Sequence, residues 1–74
     1  MEMDAVNSAA EIEWERARLV RLCSALIGDH AAAEDLAQEA LLQAWRSRDT
    51  LRNPASRQQW LSGIARNVCR HWLS

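Results

Sequence analysis

The chain has 74 residues, room for one small domain whose fold buries only about 60% of the unfolded-chain surface. Its 49% hydrophobic and 26% charged residues exclude a disordered tail, and a formal net charge of −1 gives by itself no sign of a nucleic-acid partner. No apolar run approaches the ~18 residues needed to cross a bilayer, and the start Met1-Glu2-Met3-Asp4 is unlike a signal peptide, so no membrane role and a cytoplasmic location are expected.

Glycine occurs only at 28 and 63 and proline only at 54, and no strand-like alternation of β-branched residues is present. The expected fold is all-α, a compact three-helix domain over 8–74 that follows a flexible segment 1–7. The first helix is predicted over 8–27, with Ser8 as N-cap, Glu11 completing a capping box and Gly28 as the stop. Ile12, Leu19, Cys23 and Leu26, flanked by Leu22 and Ile27, form its apolar face, and Glu11, Glu15 and Arg18 are assigned to the opposite face.

Asp29 is a suitable N-cap for a second helix over 30–46, with Glu34 and Asp35 near its positive end. Ala33, Leu36, Ala37, Ala40 and Ala44 share one face of it, and their small side chains allow another helix to approach closely. Asp35, Gln38, Glu39 and Leu42 stack on the other face at i, i+3, i+4 and i+7, with Trp45 near the stripe. Polar groups around an apolar anchor suit a partner helix, though on these grounds alone a solvated face with one exposed leucine is the favoured reading.

Ser47 to Asn53 has no apolar period and reads as a loop, and Asn53-Pro54 is a cap and first turn for a third helix over 54–73. Its stripe is Leu61, Ile64, Ala65, Val68 and Trp72, with Trp60 at the edge; Leu26, Leu36, Ile64 and Val68 are expected inside the core. Across from that stripe lie Gln59, Gly63, Arg66 and Arg70, a basic ridge or an ordinary solvated arginine face. Gly63 costs roughly 1 kcal/mol against alanine inside a helix, which hints at close approach by another backbone.

Charge is divided along the chain: residues 1–45 carry nine acids and three arginines, and 46–74 carry six arginines and Asp49 alone. All nine basic residues are arginine, which suits bidentate contacts to phosphate or bases but also follows from a GC-rich genome. Cys23 and Cys69 make neither a CxxC nor a disulfide framework and read as reduced, partly buried fillers. A zinc site from these two with His30 and His71 lacks ligand spacing, and no metal or other cofactor is expected. No Gly-rich phosphate loop and no nucleophile paired with a base on one helical face is present, so the chain is not expected to be an enzyme.

The segment Ala33-Glu34-Asp35-Leu36-Ala37-Gln38-Glu39-Ala40-Leu41, followed roughly twenty residues later by Trp60-Leu61-Ser62-Gly63-Ile64-Ala65-Arg66-Asn67, resembles region two of the extracytoplasmic-function sigma factors of bacterial RNA polymerase. Those read approximately AEDLxQExF and WLxxIAxN at this spacing, and the likeness runs from about Leu19 to the end. It departs from the family pattern at Leu41, where many members carry a large aromatic, and at His71, where they carry an acid or amide. It stops at Ser74, short of the helix-turn-helix region that reads the minus-thirty-five element, so that region is expected to be absent from this chain.

The resemblance implies a domain that docks on the clamp helices of the polymerase's largest subunit and captures the non-template strand of the minus-ten promoter element. By position, the polymerase-docking residues are Asp35, Gln38 and Glu39, continued by Leu41, Leu42 and Trp45, the face that periodicity also isolates. The base-pocket loop maps to Ser47–Asn53, with Arg48, Leu51, Arg52 and Asn53 as candidates, and strand and phosphate contacts map to Arg66, Asn67, Arg70 and His71. Trp60 and Trp72 are candidates for stacking or core, Trp72 chiefly for core. An anti-sigma factor is a further candidate partner, and the alternative function is a helical interaction module, self-associating or anti-sigma-binding, that does not bind DNA.

Overall fold

The structure is a computed structural model that describes the backbone of residues 9–74 and the side chains from 13 on. The expected flexibility of 1–7, the Ser8–Glu11 capping box and the packing of Ile12 lie outside the described residues. The described residues form three α-helices, α1 (Ala9–Ile27), α2 (His30–Arg46) and α3 (Arg57–Leu73), with 3₁₀ turns at Arg48–Thr50 and Pro54–Ser56 and no strand.

Local chemistry sets each boundary. Gly28 takes φ +74 and donates its N–H to the Ser24 carbonyl at 2.8 Å, the left-handed stop that a residue with a Cβ rarely adopts. Nothing lies within 4 Å of the Cβ position there, so glycine is required by the backbone and not by crowding. Asp29, in extended conformation, accepts the Ala32 N–H at 3.1 Å and starts α2. Ser47 ends it, donating its hydroxyl to the Gln43 carbonyl at 2.7 Å. Asn53 caps as expected, accepting the Ala55 N–H at 3.1 Å, but Pro54–Ser56 is a 3₁₀ turn and the α-helix begins at Arg57.

All three helices touch one another. Glu15 and Arg18 of α1 meet Arg57, Gln58 and Ser62 of α3, while Cys23 meets Cys69 further along, so α1 and α3 run in the same direction. The core contains Leu19, Val20 and Cys23 of α1, the whole alanine stripe and Leu36 of α2, and Leu61, Ala65, Val68 and Cys69 of α3. Leu36 and Val68 are inside as expected, and Ile64 packs half-buried against the core.

Three assignments are corrected. Leu26 is 45% exposed and Trp72 48% exposed, although each faces the core side of its helix. Leu26 lies three residues beyond Cys23 and Trp72 three beyond Cys69, at the end where α1 stops, so the helical angle is right but no further layer of the described residues covers them. Glu15, assigned to the polar face, is only 4% exposed. It stands one turn before Leu19 on the same stripe, because residues four apart share a helical face.

The cysteines are free and buried, with their thiols together. Burial pushes the Cys23 thiol up to about 12, and the hydrogen bond and charge of Cys69 add to the rise. A raised pKa in the folded state means that this contribution to stability is complete below about 9, where the unfolded thiol is protonated, and is lost as pH climbs towards about 12. The chain has no tyrosine and no lysine to obscure the effect of Cys23 in this window. The urea midpoint followed by circular dichroism is expected to hold up to about pH 9 and then fall, by up to about 1.4 kcal/mol of stability per pH unit. A flat profile in which Cys23→Ala behaves like the parent would contradict this.

Candidate functional site

The outer face of α2 follows from its inner one. Once Ala33, Leu36, Ala37, Ala40 and Ala44 are buried, the spacing of 100° per residue turns Asp35, Gln38, Glu39 and Leu42 outwards, and all four are exposed. Leu42 is 46% exposed and Trp45 64%, so two large apolar side chains stand in solvent beside carboxylates. Gln43 Nε2 donates to Glu39 Oε2 at 3.3 Å and braces that carboxylate. Leu41 is set apart from the others, half-buried and packed against the core beneath the face.

The connection from α2 to α3 is more ordered than a bare loop. The Arg48 guanidinium lies 3.9 Å from the centre of the Trp45 ring and its Nη1 donates to the Trp45 carbonyl at 2.6 Å. This cation–π stack joins a residue assigned to the strand-reading loop to one assigned to the docking face. Thr50 donates its hydroxyl to the Ser47 carbonyl at 2.7 Å and accepts from Trp60 Nε1 at 3.3 Å. Trp60 is half-buried against the core, so its ring serves first as a strut between loop and α3. Arg52 and Asn53 are exposed and Leu51 is half-buried, with the Asn53 side-chain oxygen engaged in its cap.

On α3 the ridge of Gln59, Gly63, Arg66 and Arg70 is wholly exposed, with Asn67 and His71 beside it. Arg70 Nη1 donates to Asn67 Oδ1 at 3.3 Å, and among the described residues the Arg66 guanidinium has no hydrogen-bond or ion-pair partner. Among the described residues, beyond the neighbouring turn of its own helix, no atom lies within 4 Å of a Cβ placed on Gly63, so no contact among them accounts for glycine there. The acidic, leucine-centred face and the arginine ridge therefore project from different helices, each opposite its own buried stripe.

A polar junction between α1 and α3 was not anticipated. Glu15 Oε1 accepts from Arg18 Nε at 3.1 Å and Nη2 at 3.0 Å, and Arg57 Nη2 approaches Glu15 Oε2 at 3.7 Å. Arg18 also donates from Nη1 to Ser62 Oγ at 2.8 Å and from Nη2 to the Gln58 carbonyl at 3.3 Å. Beside it opens a cleft of about 420 Å³ lined by Arg18, Gln58, Gln59, Ser62 and Arg66. The position of Glu15 one turn before Leu19 was a signal for burial; the pairing of Arg18 with Ser62, 44 residues away, had none.

Cys23 and Cys69 are enclosed while His30 and His71 are exposed, and among the described residues no group of three or more His, Cys, Asp or Glu could hold a metal ion. No helix among the described residues is long and apolar enough to cross a membrane.

The family model described as Sigma-70 region 2 matches residues 12–74. The chain is 40% identical to a probable RNA polymerase sigma factor, RfaY, of Xanthomonas campestris pv. campestris, over 90% of this chain and 19% of that protein. It is 38% identical to the ECF RNA polymerase sigma factor SigG of Mycobacterium tuberculosis, over 82% of this chain and 16% of that one. The chain thus spans under a fifth of the length of these curated relatives. No solved structure matches.

Proposed function

Since the chain belongs to the sigma-70 region 2 family, in its extracytoplasmic-function branch, we propose that it docks on the clamp helices of core RNA polymerase and holds the non-template strand of the minus-ten promoter element during transcription initiation. The role is non-catalytic. The observation that carries the reading is the separation of two exposed surfaces of opposite character on one small bundle, the α2 face of Asp35, Gln38, Glu39, Leu42 and Trp45 and the α3 ridge of Arg66 and Arg70.

Each surface suits its partner on physical grounds. Acids around Leu42 and Trp45 match a basic coiled coil, with the apolar pair as anchors and Leu41 supporting them from the core side. A ridge of arginines matches a strand of phosphates. The loop between α2 and α3 stands beside both, and its Arg48, Leu51, Arg52 and Asn53 are suited to read a base turned out of the stack.

The strand-holding half is tested with single-stranded minus-ten oligonucleotides, on the free chain at low salt, where phosphate contacts are strongest, and on the polymerase-bound chain, where linked binding sites add to the affinity. Arg66→Ala and Arg70→Ala are expected to weaken every minus-ten oligonucleotide alike and to lower the log–log salt slope by about one phosphate each. Substitutions at Leu51, Arg52 or Asn53 are expected to change which base is preferred. Loop variants that scale all sequences equally, with arginine variants that alter base choice, would reverse the two roles. The alternative, an interaction module without DNA binding, is favoured by the exposed Leu26, Trp72 and Leu73 at one end of the bundle, and it requires that no salt-dependent strand binding be found.

A further inference from the structure

We infer that the cleft between α1 and α3, lined by Arg18, Gln58, Gln59, Ser62 and Arg66, seats one backbone phosphate of the bound single strand. The inference rests on the strand-holding role proposed for the α3 ridge and extends it onto α1. The cleft's volume of about 420 Å³ falls within the ~300–1,000 Å³ of small-ligand sites and admits a phosphate with part of its sugar.

The lining favours a group that only accepts hydrogen bonds. Arg18 is held by four hydrogen bonds, to Glu15 Oε1 from Nε and Nη2, to the Gln58 carbonyl and to Ser62 Oγ. Its guanidinium is therefore fixed before any ligand arrives, and the entropy of ordering it is already spent on folding. Ser62 Oγ accepts from Arg18, which leaves its own O–H free to donate outwards. The Arg66 guanidinium has no partner among the described residues, and the Gln58 and Gln59 amides are exposed at the rim. The unsatisfied acceptor nearby, Glu15 Oε2, is sealed from solvent 3.7 Å from Arg57 Nη2, so it does not confront an entering anion.

Charge and continuity point the same way. Among the described residues, the Glu15 carboxylate already faces the guanidiniums of both Arg18 and Arg57, and it makes no ion pair with Arg66 at the mouth. Arg66 belongs at once to the cleft and to the ridge, and Gly63 beside Ser62 keeps the ridge low, with open space above it. A strand lying along Arg70, Gly63 and Arg66 thus passes directly over the cleft.

The test measures anisotropy of a labelled deoxyoligonucleotide of about ten nucleotides, at low salt, with the complete chain and with three variants. Gln59→Glu changes an exposed helix position, Ser62→Asp sets a carboxylate beside Arg18 in place of the phosphate, and Arg70→Ala touches the ridge alone. Circular dichroism melts establish that each variant is folded. Gln59→Glu and Ser62→Asp are each expected to weaken binding about tenfold and to lower the salt slope by about one phosphate. A neutral methylphosphonate scanned along the oligonucleotide is expected to cost the parent about tenfold at one position and the Ser62→Asp variant nothing there.

If Arg70→Ala weakens the strand while both cleft variants bind like the parent, the cleft site is overturned and the ridge reading stands. If no variant matters because the parent itself does not bind, both fall. A cleft variant that loses binding to polyglutamate while keeping the oligonucleotide would assign the cleft to an acidic protein, and inorganic phosphate that binds the parent cleft without competing with the oligonucleotide would assign it to a free anion. Either result overturns the proposal.

Discussion

Replacing Glu15 with alanine is expected to destabilise the domain by about 3 kcal/mol, the lower end of what breaking a buried ion pair costs. The Glu15 side chain is 5% exposed and its carboxylate engages two guanidiniums, so removal takes away the carboxylate that Arg18 pairs with in a largely enclosed position. Those arginines are 19% and 32% exposed and can turn partly towards water, which keeps the loss from reaching the upper end. A chain of this size has a total stability of roughly 4–11 kcal/mol, so the loss is a large share of it. Glu15→Gln, which keeps an acceptor for Arg18, is expected to cost about half as much.

The comparison that isolates the cause is Glu15→Leu with Arg18→Met. Both positions then carry apolar side chains next to the core residue Leu19, and buried pairs replaced in this way are often neutral or better. Recovery to within about 1 kcal/mol of the parent in urea melts, with Glu15→Ala well below it, is the expected pattern. A Glu15→Ala variant as stable as the parent would mean that the junction is not a stabilising contact.

The fold was legible in the sequence to the extent that its signals are local. Gly28 and Asp29 punctuate α1 and α2 through their own backbone and side chain, and the alanine stripe of α2 is an arithmetic of four-residue steps within one helix. Periodicity gives an angle around a helix, however, and not a place along the bundle. Leu26 and Trp72 have the core-facing angle and are exposed because they lie in the last turns of their helices, where no described residue packs over them. Glu15 differs for another reason: its charge argues for solvent and its place on the stripe for the interior, and two arginines from two helices make the interior tolerable.

The same distinction divides the surfaces. The α2 face could be isolated because all its members are on one helix, and the resemblance named the same residues independently. The cleft depends on the register of α1 against α3, which nothing within either helix records. Arg48 is a candidate for the base-reading loop and Trp60 for stacking or core, and in the structure one is stacked on Trp45 and the other is tied to Thr50. The contacts holding them, an exposed hydrogen bond and a surface cation–π pair, are weak enough for a ligand to displace.

The α2 face yields the second large effect. Leu42→Arg is expected to weaken binding to the isolated clamp coiled coil by at least about 100-fold, because it removes a central apolar anchor and sets a positive charge against a basic partner. Asp35→Ala, Gln38→Ala and Glu39→Ala are expected to cost about 1–3 kcal/mol each, less than the arginine because they only truncate the rim. Leu42 is 46% exposed and directly opposite the buried alanines, so the melting temperature should not move. That makes the variant diagnostic in both directions. A loss of folding would mean that Leu42 belongs to the core, and unchanged affinity in a folded variant would remove α2 as the docking face. Strand binding by the free chain provides the internal control, since the arginine ridge lies on another helix: a Leu42→Arg variant that loses the coiled coil and keeps the oligonucleotide separates the two surfaces, whereas loss of both would mean that they form one site.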